Sequence, residues 1–215
     1  MSASGKSSTL RHGVILLAVS AFALSAGYWV ADSFLVTPPD LSGLHGTVFG
    51  KPRDIGSFKL ADHTGKTFDN LALQGRWSFV FFGYTHCPDV CPTTLSVLNS
   101  VARKLKDHEN DVQFVFITVD PERDTPEKLG QFVSYFNGAF IGVTGSNAAI
   151  SELTRQLGVI FARVTDNAGA DNYLMDHTAS VLLFDPAGRF HAVFSPPLNA
   201  ADITDDFGRI SQAYR

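Results

Sequence analysis

Only two of the 215 residues are cysteine, too few sulfurs for a disulfide-stapled scaffold. The 17 lysines and arginines are scattered, none of them in a run that could neutralise a row of phosphates, and the formal net charge is −4. Nucleic-acid binding has no support from such a pattern. No acidic residue precedes Asp32, no proline lies between Pro126 and Pro186, and no internal repeat is visible. Each of these gaps bears on what remains. The apolar content of 45% and the length allow one good-sized domain.

The acid-free N-terminus also holds a long uncharged and apolar stretch. Gly13 to Ala31 carries no charge, and at 1.5 Å per residue such a helix reaches about 28 Å, close to the hydrocarbon thickness of a bilayer. Lys6 and Arg11 precede it, so the positive-inside bias places residues 1–12 in the cytoplasm and exports the chain beyond the span. Tyr28 and Trp29 then fall at the outer interface. A cleaved signal peptide is the competing reading, because Ala21-Phe22-Ala23 resembles a cleavage site. Cutting there splits an apolar run that continues to Ala31, which favours a retained anchor over 13–31. Either way, both cysteines end up outside the cytoplasm, where a free pair has to be kept reduced or metallated.

Residues 32–53, with Thr37-Pro38-Pro39-Asp40 and several glycines, read as an extended tether, and 54–215 as the domain. Ser57 to Leu60, a Gly-containing turn and Thr67-Phe68 predict a short hairpin. Trp77 to Tyr84 and Val112 to Val119 are apolar on both faces, interrupted only by Ser78, Gln113 and Thr118, as buried strands are. Between them Leu95, Leu98, Val101, Ala102 and Leu105 recur at helical spacing after Pro92. Thr125-Pro126 opens a helix through Tyr135, since Thr caps and Pro suits the first turn. A strand over Phe140 to Val143, a helix over Asn147 to Leu157, a hairpin of Ser180 to Phe184 with Arg189 to Phe194, and a helix over Ala200 to Tyr214 complete the order. Buried strands alternating with helices predict an α/β fold: a thioredoxin-like sheet with helices on both faces and an added N-terminal β-hairpin, preceded by one transmembrane helix.

The two cysteines, Cys87 and Cys91, occupy Tyr84-Thr85-His86-Cys87-Pro88-Asp89-Val90-Cys91-Pro92, where the first buried strand turns into a helix. Three readings compete. A structural disulfide closes too short a loop to remove much unfolded-chain entropy. A catalytic pair is stronger, because a helix N-terminus makes thiolate available, yet redox thioredoxins use two intervening residues and here there are three. Pro92 is expected to push Cys91 off helical angles and leave both sulfurs free to converge on a soft metal. His177, in Tyr173-Leu174-Met175-Asp176-His177-Thr178, is the candidate third ligand. It precedes the strand near Ser180, in a loop that abuts the cysteine turn in a thioredoxin arrangement. Redox members of that fold place a cis-proline there, and this chain has no proline to fill the space. His86 competes, but adjacent side chains at a strand end point opposite ways. His12, His45, His63, His108 and His191 read as structural. Two thiolates and one imidazole suit copper, Cu(I) or Cu(II), one per chain.

At these residues the chain resembles the Sco/SenC family of membrane-anchored copper chaperones for cytochrome c oxidase assembly. The similarity runs through Phe82 to Leu95, through Asp120-Pro121-Glu122-Arg123-Asp124-Thr125-Pro126, and through Asp176-His177-Thr178. The resemblance implies Cys87, Cys91 and His177 as copper ligands. It also implies oxidase subunit II as partner, with metallation of its copper A site or reduction of that site's cysteines as the role. A periplasmic copper donor or thiol reductant is implied upstream. The location it implies is a bacterial inner membrane, single-pass, with the C-terminal domain in the periplasm. Copper donor and thiol reductase use the same sulfurs, and both stay open. Asp120 reads equally as a turn residue or as part of the site.

Overall fold

The structure is a computed structural model that describes residues 6–35, 41–108, 111–164 and 173–214. It divides into two units, residues 1–40 and 41–215.

The first unit contains one helix, α1 (Lys6–Leu35). Its window His12–Trp29 is long and apolar enough to cross a membrane. The helix thus extends beyond the uncharged 13–31 stretch at both ends, and residues 32–35 of the expected tether are helical. Residues 36–40 of that tether lie outside the described residues.

The second unit is built on an eight-stranded sheet. Its strands, in chain order, are β1 (Thr47–Arg53), β2 (Lys59–Asp62), β3 (Thr67–Asp69), β4 (Trp77–Gly83), β5 (Val112–Thr118), β6 (Ile141–Thr144), β9 (Val181–Phe184) and β10 (Phe190–Phe194). A separate two-stranded sheet is formed by β7 (Phe161–Val164) and β8 (Leu174–His177). Four helices belong to this unit: α2 (Val90–Lys104), α3 (Pro126–Phe136), α4 (Asn147–Leu157) and α5 (Ala200–Ala213). In the large sheet the order is β1-β10-β9-β4-β5-β6-β2-β3. β4, β5 and β6 run parallel, and the remaining pairs are antiparallel.

All seven positions of β4 and of β5 are buried, so the centre of the sheet is covered on both faces, as their predominantly apolar runs require. On one face Phe79 stacks on Phe114 at 5.1 Å and meets Phe207 of α5 at 5.4 Å, while Phe116 meets Phe132 of α3. On the other face Gln113 donates to the Ala72 carbonyl and to Ser78 Oγ, tying down a single 3-10 turn at Asn70–Leu73. α4 lies against β2 and buries Ile150, Leu153 and Leu157. Helix ends follow the local chemistry. Thr125 accepts from the Lys128 amide with Pro126 at the first turn, and Ser146 accepts from the Ala149 amide. Gly158 closes α4 at φ 71°, a left-handed cap that suits a residue without Cβ.

Two readings of the sequence are corrected here. The tether does not run to residue 53: Thr47–Arg53 is an edge strand paired antiparallel with β10, so the folded domain begins before residue 54. Gly50 and Pro52 made this stretch look like linker, but proline is tolerated at a sheet edge because no partner there needs its missing N–H. The helix after the cysteines starts at Val90, not after Pro92, so Cys91 lies within its first turn. Pro92 is compatible with that position because first-turn amides have no intrahelical acceptor to lose.

Candidate metal centre

The site forms where β4 ends. Gly83, the last residue of β4, lets α2 approach the strand: a Cβ there would lie 2.7 Å from the Cys91 sulfur and 2.8 Å from the Phe116 ring. The chain then turns through Tyr84 to Asp89 and enters α2. Cys91 is fully buried and Cys87 half-buried, and both are free thiols, so no structural disulfide is present. The Cys91 amide points at the Cys87 sulfur at 3.4 Å.

The third group arrives from β8. His177 is the last residue of that strand, paired with Phe161, rather than part of a loop as its position before Ser180 suggested. The short β7–β8 hairpin escaped the sequence reading because four-residue strands carry little periodicity. His177 Nε2 lies 3.4 Å from the Cys91 sulfur, and its Nδ1 lies 3.1 Å from the Thr178 carbonyl. A carbonyl can only accept, so in the neutral ring the proton sits on Nδ1 and the Nε2 lone pair faces the sulfur. The Phe81 and Tyr84 rings, each with its centroid 5.9 Å away, hold the imidazole edge-on. Donor atoms of Cys87, Cys91 and His177 all lie within 4.8 Å of one another, the one such cluster among the described residues.

The two thiols share a proton unequally. The hydrogen bond with Cys91 holds Cys87 far below the usual thiol range, to about 3, against the opposing effect of burial and with help from His177 and backbone amides. Cys91 is pushed up, by that same hydrogen bond and by its own burial. The pair therefore presents one thiolate and one thiol at neutral pH.

The supporting residues explain why the three donors meet. Asp124, fully buried, accepts from the Thr85 amide (3.0 Å), the Thr85 hydroxyl (2.5 Å) and the Thr118 hydroxyl (2.6 Å). It ties the cysteine turn to the end of β5. His86 Nδ1 faces Thr85 Oγ1 at 3.1 Å and Asp124 at 3.8 Å, so it belongs to this clamp and not to the donor cluster. Asp120 has a structural partner set of its own: it accepts from the Tyr173 hydroxyl at 2.7 Å and from Arg123 Nε at 2.5 Å. Arg123 also donates to the Tyr173 carbonyl, and the Tyr173 ring has the Arg123 and Arg163 guanidinium carbons 3.6 and 3.5 Å from its centroid. Tyr173 immediately precedes β8, so this stack fixes the strand that carries His177. Sequence reading did not single out Asp124, Tyr173 or Arg163. The signals available were the position of Asp124 inside the Asp120 to Pro126 block and of Tyr173 at the start of the segment that carries His177.

Four further histidines of the second unit have neighbours of their own elsewhere. His63 Nδ1 accepts from the Gly142 amide, His191 packs on Trp77 beside Asp185, and His45 and His108 lie near acidic residues.

A thioredoxin-like domain with two thiols and one imidazole at the end of its central strand is a soft-metal or thiol-redox domain. The comparisons narrow the class. The SCO1/SenC family model matches residues 49–212, and the chain belongs to that family. An SCO2-like protein of Rickettsia prowazekii is 38% identical over 71% of this chain and 74% of that protein. The copper-bound structure of ScoI from Bradyrhizobium japonicum is 37% identical, with TM-score 0.66 over 72% of this chain and 97% of that one. Copper-bound ScoI from Arabidopsis thaliana is 34% identical, with TM-score 0.68 over 73% of this chain and 98% of that one.

Proposed function

We propose that this protein is a membrane-anchored copper chaperone that binds one copper per chain through the Cys87 and Cys91 sulfurs and His177 Nε2. The observation that carries the reading is the meeting of three donors within 4.8 Å, drawn from two segments far apart in sequence. Two related structures with copper bound support the choice of metal. Two thiolates and an imidazole also match Cu(I) and tolerate Cu(II), whereas a structural zinc site wants a fourth ligand.

Anaerobic copper titration is the direct test. One equivalent should bind, with sulfur and nitrogen scatterers in the X-ray absorption spectrum and, for Cu(II), a thiolate charge-transfer band. Scattering by oxygen and nitrogen alone, or preferential tight zinc binding, would overturn the reading. The pH dependence comes from the unequal thiols. Cys87 is already ionised at neutral pH because its pKa is lowered, while Cys91 still carries its proton because its pKa is raised. Copper must displace that one proton, so binding at pH 7 should release about one H⁺ and weaken about tenfold per pH unit on acidification.

The recipient we assign is subunit II of cytochrome c oxidase, at its copper A site, as the family resemblance implies. A second reading has support of its own. The Cys87 thiolate beside a protonated Cys91 is the arrangement of a dithiol reductant. Cys87 would attack a disulfide of subunit II and Cys91 would resolve the mixed disulfide. Two electrons then pass to the substrate cysteines, leaving the pair oxidised until a periplasmic thiol reductant restores it.

For location, α1 supplies a single-pass anchor in a bacterial inner membrane, residues 1–12 stay cytoplasmic, and the domain is periplasmic. Alkaline phosphatase fused after residue 60 should be active, and fused before residue 13 inactive. Full-length protein found wholly in the soluble fraction would rule the anchor out.

A further inference from the structure

Along β8 exposure alternates: Leu174 and Asp176 are exposed, and Met175 and His177 are half-buried. Side chains two apart on a strand share a face, so Met175 stands on the same side of β8 as His177. Apart from Met1 it is the sole methionine in the chain. It lines a cavity of about 220 Å³ together with Tyr84, Cys87, Val90 and His177. A thioether is a soft, uncharged donor, and two thiolates with one imidazole leave a coordination position open on a soft ion.

We propose that Met175 is a fourth, displaceable soft donor to Cu(I). It covers the open position while the chaperone holds its cargo and is the first ligand to yield when an acceptor's ligand enters. In that exchange the copper–thioether bond breaks as a bond from copper to the acceptor's ligand forms, and copper keeps its oxidation state. The inference rests on the Cys87, Cys91 and His177 reading. The alternative is that Met175 only packs against the core, where it is partly buried.

Full-length protein labelled with selenomethionine, loaded anaerobically with Cu(I), separates these. Absorption at the selenium edge should reveal a copper neighbour at bonding distance, and Met175→Leu protein, in which Met1 is still labelled, should lose it. Leucine conserves the packing volume. The variant's Cu(I) retention against a chelator should still fall on the order of tenfold, the low end of what a metal site loses with a supporting group. A selenium edge without copper, or equal retention by Met175→Leu, would overturn the proposal. The copper edge of the same sample keeps the two readings distinguishable. Sulfur and nitrogen neighbours there, with no copper seen from selenium, would remove Met175 and leave the three-ligand reading intact. Absence of sulfur at the copper edge would remove both.

Discussion

His177→Ala protein is expected to hold Cu(I) at least about 100-fold more weakly than the parent while both thiols stay titratable and able to form a disulfide. Loss of a supporting group already costs a metal site about 10–100-fold, and here a donor itself is removed. The fold should survive. His177 ends a strand of the separate two-stranded sheet, and its packing partners Phe81 and Tyr84 keep their own places in the core. The change therefore separates the two chemistries that share the sulfurs. A strain carrying it should lose oxidase activity under limiting copper and recover part of it when copper is added. Oxidase that assembles normally without His177, yet fails in Cys87→Ser or Cys91→Ser, would instead assign the protein as a thiol reductase. Circular dichroism of each variant establishes that the loss is one of ligand and not of fold.

Asp124→Ala should have the second large effect, on stability and on the site together. The carboxylate accepts three hydrogen bonds, two from Thr85 and one from Thr118, in a fully buried position. Removing it leaves those donors without an acceptor. Hydrogen bonds to a charged group contribute about 1.5–3 kcal/mol each, and an unsatisfied buried donor costs about 1–3 kcal/mol. Relief of the buried charge offsets part of this, so a net loss of about 3–5 kcal/mol is expected. Asp124→Asn should lose about half as much, because the amide oxygen can still accept from the Thr85 amide and Thr118 while the Thr85 hydroxyl rotates to accept. Denaturant unfolding of the metal-free protein measures this. Copper retention should fall in parallel as the cysteine turn loosens, and a stability change within about 0.5 kcal/mol would refute the clamp.

What the sequence exposed was governed by local rules. β4 and β5 read as buried strands because apolar residues fill both faces, with Gln113 the one large polar side chain. α3 was legible from Thr125 and Pro126 at its start, and α4 was read over Asn147 to Leu157, the bounds it has in the structure. Cys87 and Cys91 were legible because two sulfurs separated by three residues at a strand-to-helix turn allow few chemistries, and His177 because the fold brings its segment to that turn. The misread stretches were governed by long-range contact. Thr47–Arg53 contains Gly50 and Pro52 and becomes a strand only because β10 offers it an edge. β8 and its partner β7 are each too short to announce themselves.

The sequence by itself determined the uncharged stretch within the N-terminal helix, the alternating strand and helix order, and the candidate donors, since these depend on residue type and on spacing along the chain. Only the tertiary structure decided that Asp124 clamps Thr85 from 39 positions away, that Arg123 and Arg163 bracket Tyr173 at the root of β8, and that His177 turns its Nε2 and not its Nδ1 toward Cys91. Those facts arise from side chains that meet across the sheet, where position is set by the packing of whole elements and leaves no mark in the local pattern of residues.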